Sequence, residues 1–330
     1  MRTDRVPGES GAEQSDSAPD PRRQMSGITY NEEARHMRHK YLAVLVAVVL
    51  TLASAYPALA ADSDDPSGTA AMIDIGMSAR ALGMGGAHIA VADDASAVYY
   101  NPAGLAFIGG HNVTSLYTSL HGAAGYLALG YAQKNLGAGL LRLNASGVEE
   151  TDEFANVIGV FNTTDLTAMA GYGREIMPNL SLGGALKVYT QRLRDASGTG
   201  VTGDVGALYR SEDGRFRAGA VARNLFGHVK YAGGATDPFD RSFGVGAAFA
   251  PSDKFLLAAD VGYASGLTGR IGAEYQFRNL AVRAGGVLSG GDVSITAGAG
   301  FAMQSFRVDY AYQTHKVLPD SHRLSLSMSF

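Results

Sequence analysis

From His111 onward the chain alternates apolar and polar residues in segments of about ten. In TDLTAMAGYG (164–173), Leu166, Ala168, Ala170 and Tyr172 share one parity, and Asp165, Thr167 and Gly171 share the other. GRIGAEYQF (269–277) sets Ile271, Ala273, Tyr275 and Phe277 against Arg270, Gly272, Glu274 and Gln276. SFRVDYAY (305–312) and DVSITAGAGF (292–301) read the same way. A period of two over such lengths predicts strands with two chemically different faces. About fourteen of them follow in series, beginning near residues 111, 122, 136, 163, 179, 200, 215, 241, 255, 267, 280, 292, 305 and 321. Tight polar turns fall at 133–135, 177–179, 211–214, 250–254 and 277–279; longer connections fall at 145–162, 193–200, 226–240 and 315–321. Short turns at one end, longer loops at the other and an even strand number predict an antiparallel transmembrane barrel.

Alternation alone does not say which face looks outward. Fourteen strands enclose a lumen too wide for side chains to fill, whereas about eight pack solid. Glycine, at 43 of 330 residues, is about twice its usual share of ~7%. It shares its parity with the charges, which suits a wall approached closely by an inserted segment. The chain ends HRLSLSMSF, with Leu324, Leu326 and Met328 alternating with serines before Phe330. This ending resembles the assembly signal of outer-membrane barrels, and so implies the barrel-assembly machinery and outer-membrane lipid as partners. The apolar parity is therefore turned to lipid. Asp204, Arg210, Arg217, Arg223, Asp260, Arg270, Glu274, Arg278, Arg283, Arg307 and Asp309 then face the lumen. Both signs are present, so ion-paired networks bracing the wall are expected.

Residues 1–36 are polar, rich in Pro and Ser, and without apolar period. They read as a disordered extension, or as a start placed upstream of Met37. In MRHKYLAVLVAVVLTLASAYPALA (37–60), a basic leader precedes the apolar run Tyr41–Leu52 and the small-residue site Ala58-Leu59-Ala60. That order predicts a secretory signal peptide cut after Ala60. An uncleaved signal anchor is the alternative, for which the apolar run is short of the ~20 residues a spanning helix needs.

Residues 61–110 precede the first strand and are too apolar to stay in water: Ile73, Met77, Met84, Ile89, Val91, Leu105 and Ile108 need burial. The available place is the lumen. Gly83, Gly85 and Gly86 permit tight turns and close approach to the wall. Asp93 or Asp94 is expected to cap a short helix over Ala95–Tyr100, Pro102 to end it at Asn101, and Gly104 to reverse the chain into the first strand. The predicted fold is all-β: an antiparallel transmembrane β-barrel of about 14 strands (111–330), with an N-terminal hatch (61–110) plugging its lumen.

Composition narrows the chemistry. A formal net charge of -4 gives no electrostatic case for nucleic acid. Without cysteine there is neither a disulfide framework nor a thiolate metal site. The histidines at 88, 111, 121, 228, 315 and 322 show no metal-ligand spacing and read as scattered polar positions, so no metal or cofactor is expected. LGMGGAHIAVADD lacks both the G-x-G-x-x-G spacing and a surrounding βαβ unit. Asp93-Asp94 and Glu149-Glu150 are sequence neighbours, which rarely converge on one bond. No nucleophile motif is present either. An enzyme is not expected.

The stretch GMSARALGMGGAHIAVADDASAVYYNPAGLA (76–106) resembles the N-terminal signature of the PorV/PorQ family, related to the FadL-like long-chain fatty-acid transporters. Arg80, Gly85, Gly86, Asp93, Asp94, Asn101, Pro102 and Ala103 carry the resemblance. It implies a fourteen-stranded barrel plugged by a hatch, and passive uptake of a hydrophobic small molecule that binds beside the hatch. An apolar pocket between plug and wall has Leu82, Met84, Ile89, Val98, Tyr99 and Tyr100 as candidate lining; simple anchoring of the plug is the other role open to each. The resemblance to PorV implies an alternative: a shuttle or anchor for secreted cargo proteins in a type IX-like pathway, held by the outer loops 145–162 and 226–240.

Overall fold

The computed structural model describes residues 70–330 except 121, 195, 317 and 318. The expected signal peptide, the extension before it and residues 61–69 lie outside the described residues. Sixteen strands follow in order: β1 (His111–Leu120), β2 (Ala124–Gln133), β3 (Leu136–Thr151), β4 (Val157–Met177), β5 (Leu180–Leu193), β6 (Ala196–Arg210), β7 (Phe216–Arg223), β8 (His228–Tyr231), β9 (Thr236–Pro238), β10 (Ser242–Ser252), β11 (Phe255–Tyr263), β12 (Leu267–Phe277), β13 (Leu280–Ser289), β14 (Asp292–Met303), β15 (Phe306–Gln313) and β16 (Ser321–Ser329). Fourteen of them form one antiparallel sheet, which the β1–β16 and β5–β6 pairings close into a ring. Closure leaves the wall no free edge. The short hairpin β8–β9 continues from β7 and pairs with β6 through Gly198–Gly200.

The wall has the two faces that its alternation requires. Ile271, Tyr275, Val282, Ile295, Val308 and Leu326 are exposed on the outside. Glu274, Arg283, Thr296, Asp309 and Ser325 on the opposite parity are buried. A core of charges inside a coat of aliphatics inverts the order of a water-soluble barrel. Of the charges expected inside, Arg278 does not belong there. It sits in the β12–β13 turn with φ 55, exposed, its guanidinium over the neighbouring Phe277 ring, 5.4 Å from the centroid. The strand ends one residue earlier than its alternation suggests.

The loop end also departs from expectation. The segments 145–162 and 193–200 are not open loops: β3 and β4 run on through the first, paired as far as Thr151 and Val157, and β6 begins at Ala196 in the second. β2 stops pairing with β3 at Ala145 and β5 stops pairing with β4 at Thr163, so the tip of the β3–β4 hairpin stands clear of its neighbours.

Ahead of β1, residues 71–108 run inside the ring as four short turns: a 3-10 turn Ala71–Asp74, α1 (Ala79–Gly83), α2 (Ala97–Tyr100) and a 3-10 helix Pro102–Phe107. Met77, Met84, Val98 and Leu105 are fully buried, and Ile73, Ile89 and Ile108 nearly so. Their partners are the glycines of the inner wall. A Cβ on Gly272 would lie 2.6 Å from that of Met84, and one on Gly183 or Gly206 would overlap Pro102 or Asn101. Only a wall without side chains at these points lets the segment seat this closely. Gly104 does not make the expected reversal. It lies inside the 3-10 helix, where a side chain would strike the Ala92 carbonyl; the chain turns instead at Gly110, with φ 62, beside Phe330.

Candidate functional site: the lumenal brace and its cavities

Helix α2 and the 3-10 helix after it are organised by three short polar side chains. Asp94 Oδ1 accepts from the Ser96 amide at 2.8 Å and from its hydroxyl at 2.5 Å, which fixes the turn into α2. Asn101 is extended, with φ -160, because Pro102 disfavours helical geometry before it. Its side-chain oxygen accepts from Ala103 N at 3.1 Å, and its Nδ2 donates to the carbonyls of Ile89 and Ala207 at 3.0 and 3.1 Å. One amide thus joins two parts of the segment to β6.

The wall grips the segment from all sides. Asp260 Oδ2, from β11, accepts from the amides of His88 and Ile89 at 2.8 and 3.0 Å. Thr296 Oγ1, from β14, accepts from Gly85 N at 3.0 Å, and at Gly85, with φ 69, a Cβ would lie 2.7 Å from the Ile271 carbonyl oxygen. Ser325 Oγ of β16 accepts from Ala79 N at 2.8 Å, and Ser181 Oγ of β5 donates to the Ala103 carbonyl at 2.9 Å. Arg223 Nη2 of β7 donates to the Tyr100 carbonyl at 2.6 Å.

At the centre stands an ion-pair chain. Arg80 forks onto Glu274, with Nε 2.9 Å from Oε2 and Nη2 3.0 Å from Oε1, and its Nη1 lies 2.7 Å from Asp93 Oδ1. Arg217 lies 3.1 Å from Asp93 Oδ2. Arg283 continues the chain, 2.6 Å from Glu274 Oε2 and 2.8 Å from Asp309. Burial alone would raise the Asp93 carboxyl, but the Arg80 and Arg217 guanidiniums outweigh it and hold Asp93 well below the usual carboxylate range. Arg80 remains charged throughout.

The histidines were not all scattered polar positions. His88 is fully buried, edge-on to Tyr100 with ring centroids 4.9 Å apart, and neither ring nitrogen has a hydrogen-bond partner among the described residues. Burial holds its pKa below the ordinary value, against the pull of Asp94, so the ring is neutral at pH 7. His88, Asp93 and Asp94 bring ligand atoms within 4.8 Å of one another. Both Asp93 oxygens already face guanidiniums, however, so a cation there would stand against two positive charges.

Two cavities flank the brace. One of about 300 Å³ opens at the short-turn end, between Asp213, Arg215, Lys254 and Gln276, with Arg80, Asp93 and Glu274 at its floor. The other, about 210 Å³, opens at the loop end beside Ser242, Ala264 and Thr268. Leu82, Ile89, Tyr99 and Tyr100 of the expected apolar lining border it. Met84 and Val98 do not; they press on the wall at Gly272 and at Gly137 and Gly171. A larger apolar concavity, about 600 Å³, lies over Ala247, Phe249, Leu257, Ile271 and Ala273 of the outward parity, outside the lumen.

Lys187 was missed, although the signal was available: it shares the inward parity of Ala185 and Tyr189 on β5. It is fully buried, 2.7 Å from Asp204 and 3.1 Å from Asn224 Oδ1. Above it Tyr189 meets Phe239, next to β9, edge-on at 6.2 Å. Leu324 and Leu326 of the expected assembly signal face outward on β16, while the Phe330 backbone exchanges hydrogen bonds of 2.7 and 2.9 Å with His111 across the seam.

No protein-family model matches the chain, and no curated protein sequence matches it. Solved structures do. The chain is similar to CymD, a monoaromatic hydrocarbon channel, with TM-score 0.57 and 16% identity over 78% of this chain and 98% of that one. It is similar to the P. putida toluene transporter TodX, with TM-score 0.57 and 16% identity over 77% of this chain and 99% of that one. The deltaS2S3 mutant of TodX matches with the same score and identity, over 78% of this chain and all of that one. At this identity what the chain shares with these channels is their barrel fold.

Proposed function

We propose that the chain is an outer-membrane channel through which small hydrophobic compounds pass without an energy source, with residues 61–110 as its hatch. The observation that carries this reading is the 210 Å³ cavity, reached from the loop end and floored by a segment held by the wall through polar contacts. Polar contacts in a lumen open to water can exchange for water, so such a segment can shift without leaving the barrel. The similarity to hydrocarbon channels supports the same reading. On it, residues 37–60 export the chain and the β16 ending is read by the barrel-assembly machinery. The test is uptake of labelled toluene into liposomes carrying the purified protein. Uptake should exceed that of protein-free liposomes and should rise when Glu274→Gln or Asp93→Asn loosens the brace; equal rates in all four preparations would refute the reading.

A second reading has its own support. The free tip of the β3–β4 hairpin exposes Phe154, Val157, Ile158 and Val160. Apolar residues on an unpaired strand edge suit contact with another protein, as the PorV-like anchor of secreted cargo requires. Deleting 147–156 would abolish cargo retention on that reading and leave toluene uptake intact on the first.

A further inference from the structure

Resting on the channel reading, the loop-end cavity also carries information about what it accepts. Its wall is apolar where Leu82, Ile89, Tyr99, Phe243 and Tyr263 border it, but two guanidiniums, of Arg223 and Arg270, border it as well. Arg270 makes no hydrogen bond or ion pair with any described residue, although Asp260 stands directly opposite it across β11 and β12. Asp260 does not reach it: Oδ2 takes the two amides of His88 and Ile89, and Oδ1 is turned onto Gly246 of the neighbouring strand, without a hydrogen-bond partner among the described residues. Arg223 uses Nη2 on the Tyr100 carbonyl, while its buried Nε has no hydrogen-bond partner among the described residues. The other carboxylate at the cavity, Asp74, is exposed to solvent, so its field is screened.

We propose that this cavity binds a compact aromatic monocarboxylate, of which benzoate is the simplest, with its ring among Tyr99, Phe243 and Tyr263 and its carboxylate on Arg270 and Arg223. Guanidinium donors form a planar fork that matches a carboxylate. A neutral hydrocarbon would displace water from both guanidiniums and return no acceptor, which costs binding energy. Size sets the other limit. At about 210 Å³ the cavity is below the ~300–1,000 Å³ usual for drug-sized ligands. It takes one ring and its substituent, not a long chain. Gly86 belongs to the same design, because a Cβ there would stand 3.3 Å from the Arg270 Cδ and press on the arginine stem.

Equilibrium binding of benzoate and of toluene to the full barrel in detergent micelles tests the assignment, with heat-modifiable migration on gels confirming that each variant is folded. Benzoate should bind at least about tenfold more tightly than toluene, the effect of one charge-assisted hydrogen bond. Arg270→Gln should remove that preference without weakening toluene, and Arg270→Lys should restore part of it. Equal affinities, or a preference that survives Arg270→Gln, overturn the carboxylate assignment and leave the channel reading intact. If neither probe binds, both fall.

Discussion

Arg80 and Glu274, 194 residues apart, meet as a two-pronged ion pair with nitrogen–oxygen separations of 2.9 and 3.0 Å. Glu274 is 1% exposed and serves a second guanidinium, Arg283, as well. Removing its charge therefore takes one of two carboxylates from each of two buried cations, leaving Arg80 with Asp93 and Arg283 with Asp309. Breaking one side of a buried pair costs about 3–5 kcal/mol. Glu274→Gln should lower the stability of the barrel in detergent by an amount in that range, read from the urea midpoint. Gln276, which donates to Glu274 Oε1 at 2.9 Å, should be much less sensitive to replacement because solvent reaches it.

Asn101 couples places rather than charges. It closes three hydrogen bonds, to Ile89, Ala207 and Ala103. Each contributes about 1 kcal/mol net, so Asn101→Ala should cost about 3 kcal/mol. It should also release residues 86–92, seen as proteolytic cleavage there in a barrel that still migrates as folded. Cleavage confined to the exposed β3–β4 tip would contradict the coupling.

His88 gives the protein a pH dependence whose sign follows from its burial. Its folded pKa is lowered, so between the unfolded value near 6.5 and the folded value the unfolded chain takes the proton first. Stability is then complete above about pH 6.5 and declines as the pH falls. Asp93 adds no slope in that window: its carboxyl is held well below the usual range, and its contribution is lost only in stronger acid. Unfolding midpoints measured between pH 7.5 and 5, roughly bracketing that value, should fall in the parent and fall less in His88→Gln.

The barrel was legible because a period of two is a direct projection of a wall with different solvents on its two faces. Strand limits were less so. Arg278 kept the alternation one step past the end of β12, and the β3–β4 extension has solvent on both faces, so its residues carry no clean alternation. Within 71–108 the apolar residues announced burial but not against what. Leu82 and Met84 are two residues apart on the same turn, yet one borders a cavity and the other presses on Gly272. That division depends on which wall glycine stands opposite, a relation between distant positions that no local pattern carries. His88 was opaque for the same reason: a single histidine signals nothing until its neighbours in space are known.

The two faces of the wall can be separated at a single pair of adjacent residues. Gly272 on β12 faces Met84, with no room for a side chain, while Ala273 faces outward beside the apolar concavity. Gly272→Val should unseat the segment at Met84 and destabilise the barrel by about 1–3 kcal/mol or more, as overpacking does. Ala273→Val adds comparable bulk one residue later, on a surface that prefers β-branched apolar side chains, and should stay within about 0.5 kcal/mol of the parent. Urea midpoints of the two variants in one detergent decide the matter. The opposite ranking would place Gly272 on the outer face and invert the whole wall, because every residue of β12 is tied to its neighbours in the same unbroken register from Phe277 to Thr268.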